Sequence, residues 1–325
     1  MIKNKKILVT GGAGTVGSNI VKKLVKRQAQ VTVIDNLDAY PFDYFHEYGV
    51  GNLDNVEFIK DSITDEGIVD DLIKNNDMVI HAAALADVGA CIKNPQIEFK
   101  TNVAATQNIL ESSHKNNIEK FIFVSSAAVY GLGNRNIFKE TDPCFPVSNY
   151  ALSKYWGEQQ SRLYYELYNL PTTSIRFFSV YGSPQIPKKG SHSWAVAIFG
   201  ALAKKGKPIT VFGDGNQIRD FTHVSDIAES VVLSLEKEST NGKFFNVGTG
   251  KPTKINDIVE KVFEYVKPVP INYKPYPPGD PIGGYSDTTL MRKLLGWEPQ
   301  ITLDEGIKEY FEWLNNHEHI IPEWI

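Results

Sequence analysis

Two cysteines, Cys91 and Cys144, in a chain of 325 residues are too few to build a disulfide framework. No Cys/His spacing suits a metal ion. No apolar run reaches the eighteen or so residues that a membrane span needs. Residues 1–6 lead straight into a short apolar run, 7–9, that ends in glycines, which is not the pattern of a secretory signal. Neither half carries a block of basic residues and the net charge is -4, so neither nucleic acid nor a membrane surface is indicated as a partner. There is no internal repeat and no low-complexity tail. What remains is a globular chain suited to a reducing cytoplasm, 42% hydrophobic and 22% charged, long enough for two lobes or one large α/β unit.

Residues 6–10 read as a buried strand that runs directly into Gly11-Gly12-Ala13-Gly14-Thr15-Val16-Gly17, and the helical spacing of Val21, Leu24 and Val25 follows. In a strand–turn–helix unit, glycines let the backbone approach a pyrophosphate, and the helix N-terminus offers N–H groups and a positive dipole end. Residues 31–34 form a second strand, closed by Asp35, 18 residues after Gly17. An acidic residue near that spacing grips a ribose 2′-hydroxyl. It would repel a 2′-phosphate, and no arginine follows among Asn36, Leu37 and Asp38, so the pattern favours NAD over NADP.

The rhythm continues. Residues 36–55 read as a long loop and 56–59 as a strand ending at Lys60-Asp61-Ser62, with Asp61 placed to hydrogen-bond an adenine. A short strand at 78–80 leads to His81-Ala82-Ala83-Ala84, small residues against which a flat cofactor could lie; His81 itself reads as a satisfied turn histidine. A long helix over 95–114 carries Asn102, and a strand over 121–124 ends in Ser125-Ser126. Five strands alternating with helices predict a doubly wound parallel sheet, whose strand ends are where chemistry collects. Ser126 would then face the next helix, 150–169, which holds Tyr150 and Lys154 four residues apart on one face. A phenol has a pKa of about 10, and an adjacent ammonium should lower it, which makes Tyr150 a candidate general acid/base tuned by Lys154. A further strand spans 173–178. Beyond Gly182 the composition turns rich in Pro, Lys and Gly, and a second lobe begins, with a helix at 194–204, a strand at 209–212, a helix from 225, a strand at 244–247, an amphipathic stretch at 255–266, a loop at 273–284 and helices near 288–295 and 303–314. Arg219 is its candidate anion-binding residue, with a surface salt bridge as the alternative. His317 and His319 have no partners at ligand spacing and read as surface residues.

Taken together, the glycine loop, Asp35-Asn36-Leu37, His81-Ala82-Ala83-Ala84, Thr101-Asn102-Val103, Ser125-Ser126 with Val129-Tyr130-Gly131, Tyr150 with Lys154, Arg176-Phe177-Phe178, and Gly213-Asp214-Gly215 to Arg219-Asp220-Phe221 resemble the extended short-chain dehydrogenase/reductase family. Within it the chain is similar to NAD-dependent nucleotide-sugar epimerases and dehydratases, above all the UDP-hexose 4-epimerase type. The resemblance implies a Rossmann-like NAD-binding domain over 1–178, to which the chain returns around 222–250, and a smaller α+β lobe for the nucleotide sugar over 179–325. It implies Ser126, Tyr150 and Lys154 as catalytic residues. NAD contacts would come from Gly11, Gly14, Thr15, Val16, Gly17, Asp35, Asn36, Asp61, Ser62, Ala82, Ala83, Ala84, Asn102, Ser125, Tyr150, Lys154 and Phe178. Substrate contacts would come from Ser126, Tyr150, Ser179, Arg219 and Asp280. The substrate would be a UDP-hexose, a UDP-N-acetylhexosamine or a UDP-uronate, and a homodimer would form through the helices at 95–114 and 150–169. In related dehydratases and decarboxylases the positions after the catalytic hydroxyl carry acidic residues; Ala127 and Ala128 stand there instead, which argues against elimination chemistry. Ser179 replaces a common asparagine, Pro277 a common arginine and Ala86 a frequent lysine, so the nucleotide end would be held differently. The smaller Ser179 would admit another substituent at sugar carbon 6, for example a carboxylate.

Overall fold

A computed structural model describes residues 2–39, 49–131, 136–188, 194–276 and 283–325. Seven parallel strands form the central sheet: β1 (Lys6–Thr10), β2 (Gln30–Ile34), β3 (Val56–Ile59), β4 (Met78–His81), β5 (Lys120–Ser126), β6 (Thr172–Phe177) and β7 (Lys243–Val247). They lie in the order β3-β2-β1-β4-β5-β6-β7. The order reverses direction between β1 and β4, and that is where a crevice opens at the carboxyl ends of a doubly wound sheet.

Alternation along each strand divides the apolar residues between two faces. Ile7 and Val9 of β1 join a core with Ile20, Val21 and Leu24 of α1 (Thr15–Lys26) and Ile227 and Val231 of a helix at Val224–Glu236, which packs on α1. Leu8, between them in sequence, faces the opposite core, with Val69 and Ile73 of α2 (Glu66–Lys74), Ile109 and Leu110 of a helix at Ala105–Lys115, and Tyr164. A separate core gathers Val196 and Phe199 of the helix Ala195–Lys204, Ile209 and Val211, Ile258 and Val262 of the helix Ile255–Phe263, and Tyr310 and Phe311 of the helix Leu303–Asn316. There the strand Ile209–Phe212 pairs in parallel with Ile271–Lys274.

Several local expectations are corrected. The helix expected over 95–114 is interrupted: helical turns at Pro95–Glu98 and Ala105–Lys115 flank a π-helical stretch, Phe99–Ala104. Tyr273 and Lys274 belong to a strand, not a loop, because parallel pairing with Ile209–Phe212 satisfies their backbone. The sequence reading missed α2 altogether, although Asp65 caps it through the Ile68 N–H. His81 ends β4 instead of sitting in a turn.

The helix Asn149–Tyr168 starts at a Ser148 cap, whose hydroxyl accepts from the Ala151 N–H, and ends at Asn169 in the left-handed conformation. It lies close over β5 at Gly157, where an added Cβ would sit 2.3 Å from the Phe123 ring. One position later, Glu158 forms a fully buried ion pair with Arg176 of β6, Nε to Oε1 at 2.9 Å and Nη2 to Oε2 at 2.7 Å. Ser125, on β5, donates its hydroxyl to the same Oε1. The guanidinium lies between the rings of Tyr130 and Phe244, 4.8 and 4.6 Å from their centroids. Replacing Glu158 with Gln should strand the arginine charge in this site and lower unfolding stability by about 3–5 kcal/mol in urea titrations. The double replacement Glu158→Met with Arg176→Met should lose markedly less than the two single losses added together; full additivity would show that the pair is not coupled.

Candidate active site

The carboxyl ends of β1, β2, β4 and β5 open on a continuous cleft of about 1430 Å³, walled on the far side by the second core. Its deepest turn follows β1. Gly11 has φ +72, and a Cβ there would lie 2.7 Å from the Cα and N of Ala83; at Gly17 it would lie 2.1 Å from the Gly11 carbonyl oxygen. At Gly14 it would meet nothing closer than 3.5 Å. Gly11 and Gly17 are thus required by the packing of strand, loop and helix, whereas Gly14 leaves room. Gly14 is also the N-cap of α1, with no side chain capping it and no acidic residue in the first turn. An N-terminus of this kind suits a pyrophosphate, and nothing in the loop opposes it.

Asp35 closes β2. One carboxylate oxygen accepts from the Ala13 N–H at 3.0 Å and the other from the Leu37 N–H at 2.9 Å. Burial pushes its pKa up, and these two bonds pull it back. It therefore holds the glycine loop and still has lone pairs for a ribose diol. Asn36, Asp61, Ser62 and Ala82 to Ala84 line the same cleft, with the Asp61 carboxylate accepting from the Ser62 N–H. These residues fit a dinucleotide.

Asn102 is the exception among the expected cofactor residues. It lies behind the cleft and not on its wall. Its amide oxygen accepts from the Leu85 N–H at 2.8 Å, and its nitrogen donates to the Leu85 carbonyl and to Glu98. Its side chain is spent on holding the Ala83–Leu85 backbone. A neighbouring chain of bonds fixes the same loop: the Ala83 N–H donates to the Thr10 hydroxyl, which pairs with His81 Nδ1 at 2.7 Å, while His81 Nε2 pairs with Thr106, whose hydroxyl donates to the Asn102 carbonyl. Burial drops the His81 pKa to about 3, so the ring stays neutral.

Ser126 ends β5, and its oxygen accepts from the Ala128 N–H at 3.2 Å; its hydroxyl and the Tyr150 phenol line the same cleft. The electrostatics differ from the sequence expectation. Burial pushes the Tyr150 pKa up to about 12, and the Ser126 hydroxyl opposes this. The Lys154 ammonium donates to the Val124 carbonyl at 2.8 Å and lies 5.8 Å from the centroid of the tyrosine ring. Burial lowers Lys154 to about 8, with Cys91, Glu158 and Glu98 opposing the shift. Ser125 and Phe178 also line the cleft, Ser125 with its hydroxyl already given to Glu158.

Across from Tyr150, Ser179 begins a strand, Ser179–Tyr181, paired with Phe221–His223. Arg219 lies in a two-residue strand with its Nη1 donating to the Ile218 carbonyl, and both Ser179 and Arg219 face the cleft. Asp280 and Pro277 lie outside the described residues. Ala127 and Ala128 follow Ser126 along the wall with no carboxylate between them. The sequence reading missed three contributors. Glu158 carries no local signal, since a glutamate on a helix normally faces water. Lys188, lowered to about 8 by burial with Asp87 and Asp35 opposing, and Trp324, from the last described turn, reach the cleft only through tertiary packing. Among the described residues no group of His, Cys, Asp and Glu could hold a metal ion, and no helix is long and apolar enough to cross a membrane.

Residues 7–248 match the NAD dependent epimerase/dehydratase family. A putative UDP-glucose 4-epimerase of Methanocaldococcus jannaschii is 36% identical over 319 residues, covering 96% of this chain and 99% of that protein. The structure of a UDP-glucose 4-epimerase from Thermotoga maritima with UDP-glucose superposes with a TM-score of 0.88 at 33% identity, over 96% of this chain and 99% of that one. A UDP-glucuronic acid 4-epimerase from Bacillus cereus, in complex with UDP-glucuronic acid and NAD, gives 0.89 at 28% identity, over 96% and 99%. A glycine loop that cannot hold side chains at Gly11 and Gly17, an acidic residue closing β2 and a Ser126–Tyr150 pair beside Lys154 stand in one cleft, and this chain belongs to the NAD dependent epimerase/dehydratase family.

Proposed function

We propose that the protein is an NAD-dependent nucleotide-sugar 4-epimerase acting on a UDP-hexose, a UDP-N-acetylhexosamine or a UDP-uronate. The observation that carries this reading is that Ser126, at the carboxyl end of β5, Tyr150 and Lys154 line the same cleft as the glycine loop and Asp35. Relatives named for 4-epimerisation of UDP-glucose and of UDP-glucuronate support it.

NAD, held by the glycine loop and Asp35, would supply the hydride acceptor and donor for sugar carbon 4. Tyr150 accepts the proton of the carbon-4 hydroxyl as the hydride leaves, and returns it once the keto-sugar has presented its other face. Such a base must be a phenolate, and burial by itself keeps the phenol protonated at neutral pH. The Ser126 hydroxyl favours the phenolate against burial and would hold the sugar oxygen in line. Lys154 is charged at neutral pH and loses that charge as pH rises through about 8. A dehydratase of the same family would need an acid and a base beside carbons 5 and 6, and Ala127 and Ala128 supply neither.

Gly11, Gly14, Thr15, Val16 and Gly17 would hold the pyrophosphate, Asp35 and Asn36 the adenosine ribose, Asp61 and Ser62 the adenine, and Ala82 to Ala84, Ser125 and Phe178 the nicotinamide half. Arg219 is assigned to the substrate phosphates. Residues 179–325, apart from the return around 222–250, serve as the nucleotide-sugar lobe. A second copy of the chain is the proposed partner: Ile97, Phe99 and Leu152 are 57, 57 and 59% exposed on the neighbouring segments expected to form the dimer, more apolar surface than helices facing only water need. A reducing cytoplasm is proposed as the location, resting on the two free thiols.

Purified protein without added cofactor, given UDP-glucose, UDP-N-acetylglucosamine or UDP-glucuronate in turn, should produce the carbon-4 epimer of at least one of them by proton NMR; no change in any, even with NAD supplied, would end this reading. Ser179→Asn should lower the ratio of uronate to hexose kcat/KM by about tenfold, and an unchanged ratio would remove Ser179 as a carbon-6 determinant. Light scattering should give twice the 36.4 kDa chain mass, falling to that mass in Leu152→Asp; a monomeric wild type would exclude the dimer.

A further inference from the structure

The last described turn crosses the seam between the two lobes. Ile320 is buried in the core that contains β1 and α1, whereas Ile321 and Ile325 are buried in the second core. The Ile325 N–H donates to the Pro322 carbonyl at 3.0 Å, closing the turn, and Glu318 just upstream pairs with Lys204 at the end of the helix Ala195–Lys204. Three buried isoleucines thus pin a short segment whose remaining side chains, Glu323 and Trp324 with Pro322, face the cleft. Trp324 is 43% exposed. Exposure of a single tryptophan needs no explanation by itself. Its place does: Trp324 lines the same cleft as Leu202, Thr210 and Arg219, brought there by the turn that the second core buries.

We infer that Trp324 is a base-binding residue, a flat wall against which the nucleobase of the nucleotide-sugar stacks. The inference rests on the proposed nucleotide-sugar reading and deepens it. With the sugar at Tyr150 and the phosphates at Arg219, the base occupies the remaining stretch of cleft beside the helix Ala195–Lys204. That wall is apolar, with Ile198, Phe199 and Leu202 facing the opening. A planar base set between it and an indole buries both of its faces, and stacking on an aromatic ring tolerates any base, so the residue sets affinity for the nucleotide end more than the choice of sugar. The altered grip read from Pro277 and Ala86 at the nucleotide end makes a contribution from another part of the chain chemically apt. Because the turn is held by buried isoleucines on both sides, the ring is placed before the ligand arrives and little ordering cost falls on binding.

Titration calorimetry with UDP alone tests this without turnover. Trp324→Ala should weaken UDP by about tenfold, raise KM for the sugar nucleotide similarly, and leave kcat and bound NAD unchanged, whereas Trp324→Phe, which keeps a ring, should retain most of the affinity. UDP should also quench the part of the indole fluorescence that Trp324→Phe removes, a readout that needs only two folded proteins. Equal UDP affinity in wild type and Trp324→Ala overturns the inference, as does an equal loss in the Phe and Ala variants. Trp324-dependent UDP binding without epimerisation of any sugar would uphold this site and end the epimerase reading; epimerisation with UDP affinity indifferent to Trp324 would do the reverse.

Discussion

The buried pair of Glu158 and Arg176 is the interaction on which the geometry of the site depends. It joins the helix Asn149–Tyr168 to β6 through two hydrogen bonds, and through Ser125 it takes hold of β5 as well. Ser125 and Ser126 are adjacent on β5, and with Tyr150 and Glu158 on one helix, fixing Glu158 against β5 and β6 fixes how far the phenol lies from the Ser126 hydroxyl. A buried ion pair is an expensive way to hold elements together, since both ions are stripped of water. Its return is directional: a fork of two bonds sets distance and rotation together, which apolar packing at Gly157 and Phe123 cannot do. The rings of Tyr130 and Phe244 lie 4.8 and 4.6 Å from the guanidinium and stabilise its charge, while its buried Nη1 has no hydrogen-bond partner among the described residues.

Desolvation governs the charges around this core. It raises Tyr150, lowers Lys154 and holds His81 neutral, and in each case it outweighs the neighbouring groups. A neutral tyrosine beside a lysine engaged with a backbone carbonyl is a resting arrangement, whose acid/base readiness depends on charge brought in from outside. The His81 network serves a mechanical end instead. With one ring nitrogen facing Thr10 and the other Thr106, it ties the ends of β1 and β4 to the first turn of the helix Ala105–Lys115, and Asn102 in the π-helical segment before it holds Leu85. The floor of the cleft is therefore a backbone clamped from behind.

Much of this was legible in the chain. The apolar run of Ile7, Leu8 and Val9, the glycines at 11 and 17, Asp35 at the end of β2, and Tyr150 with Lys154 on a helix are signals carried by nearby residues, and they yield the parallel sheet and the location of the cleft. They are local because period, turn geometry and capping act within a few residues. The surroundings of Tyr150 were not legible for the opposite reason: four-residue spacing says that two side chains share a helix face, but not that burial will raise the phenol or that the Val124 carbonyl will take the ammonium. Asn102, expected as a cofactor contact, bonds the backbone of Leu85, 17 residues away in sequence, a partner that no local spacing announces.

The sequence by itself determined the fold class, the dinucleotide turn and the residue types of the catalytic pair, because each rests on short-range backbone and side-chain preferences. Tertiary structure alone decided that Glu158 faces inward to Arg176, that the helix carrying Asn102 is interrupted by a π segment, and that Trp324, 174 residues after Tyr150, shares its cleft. Those outcomes depend on which surfaces lose water when elements distant in sequence pack against one another, and no stretch of chain read alone contains that information.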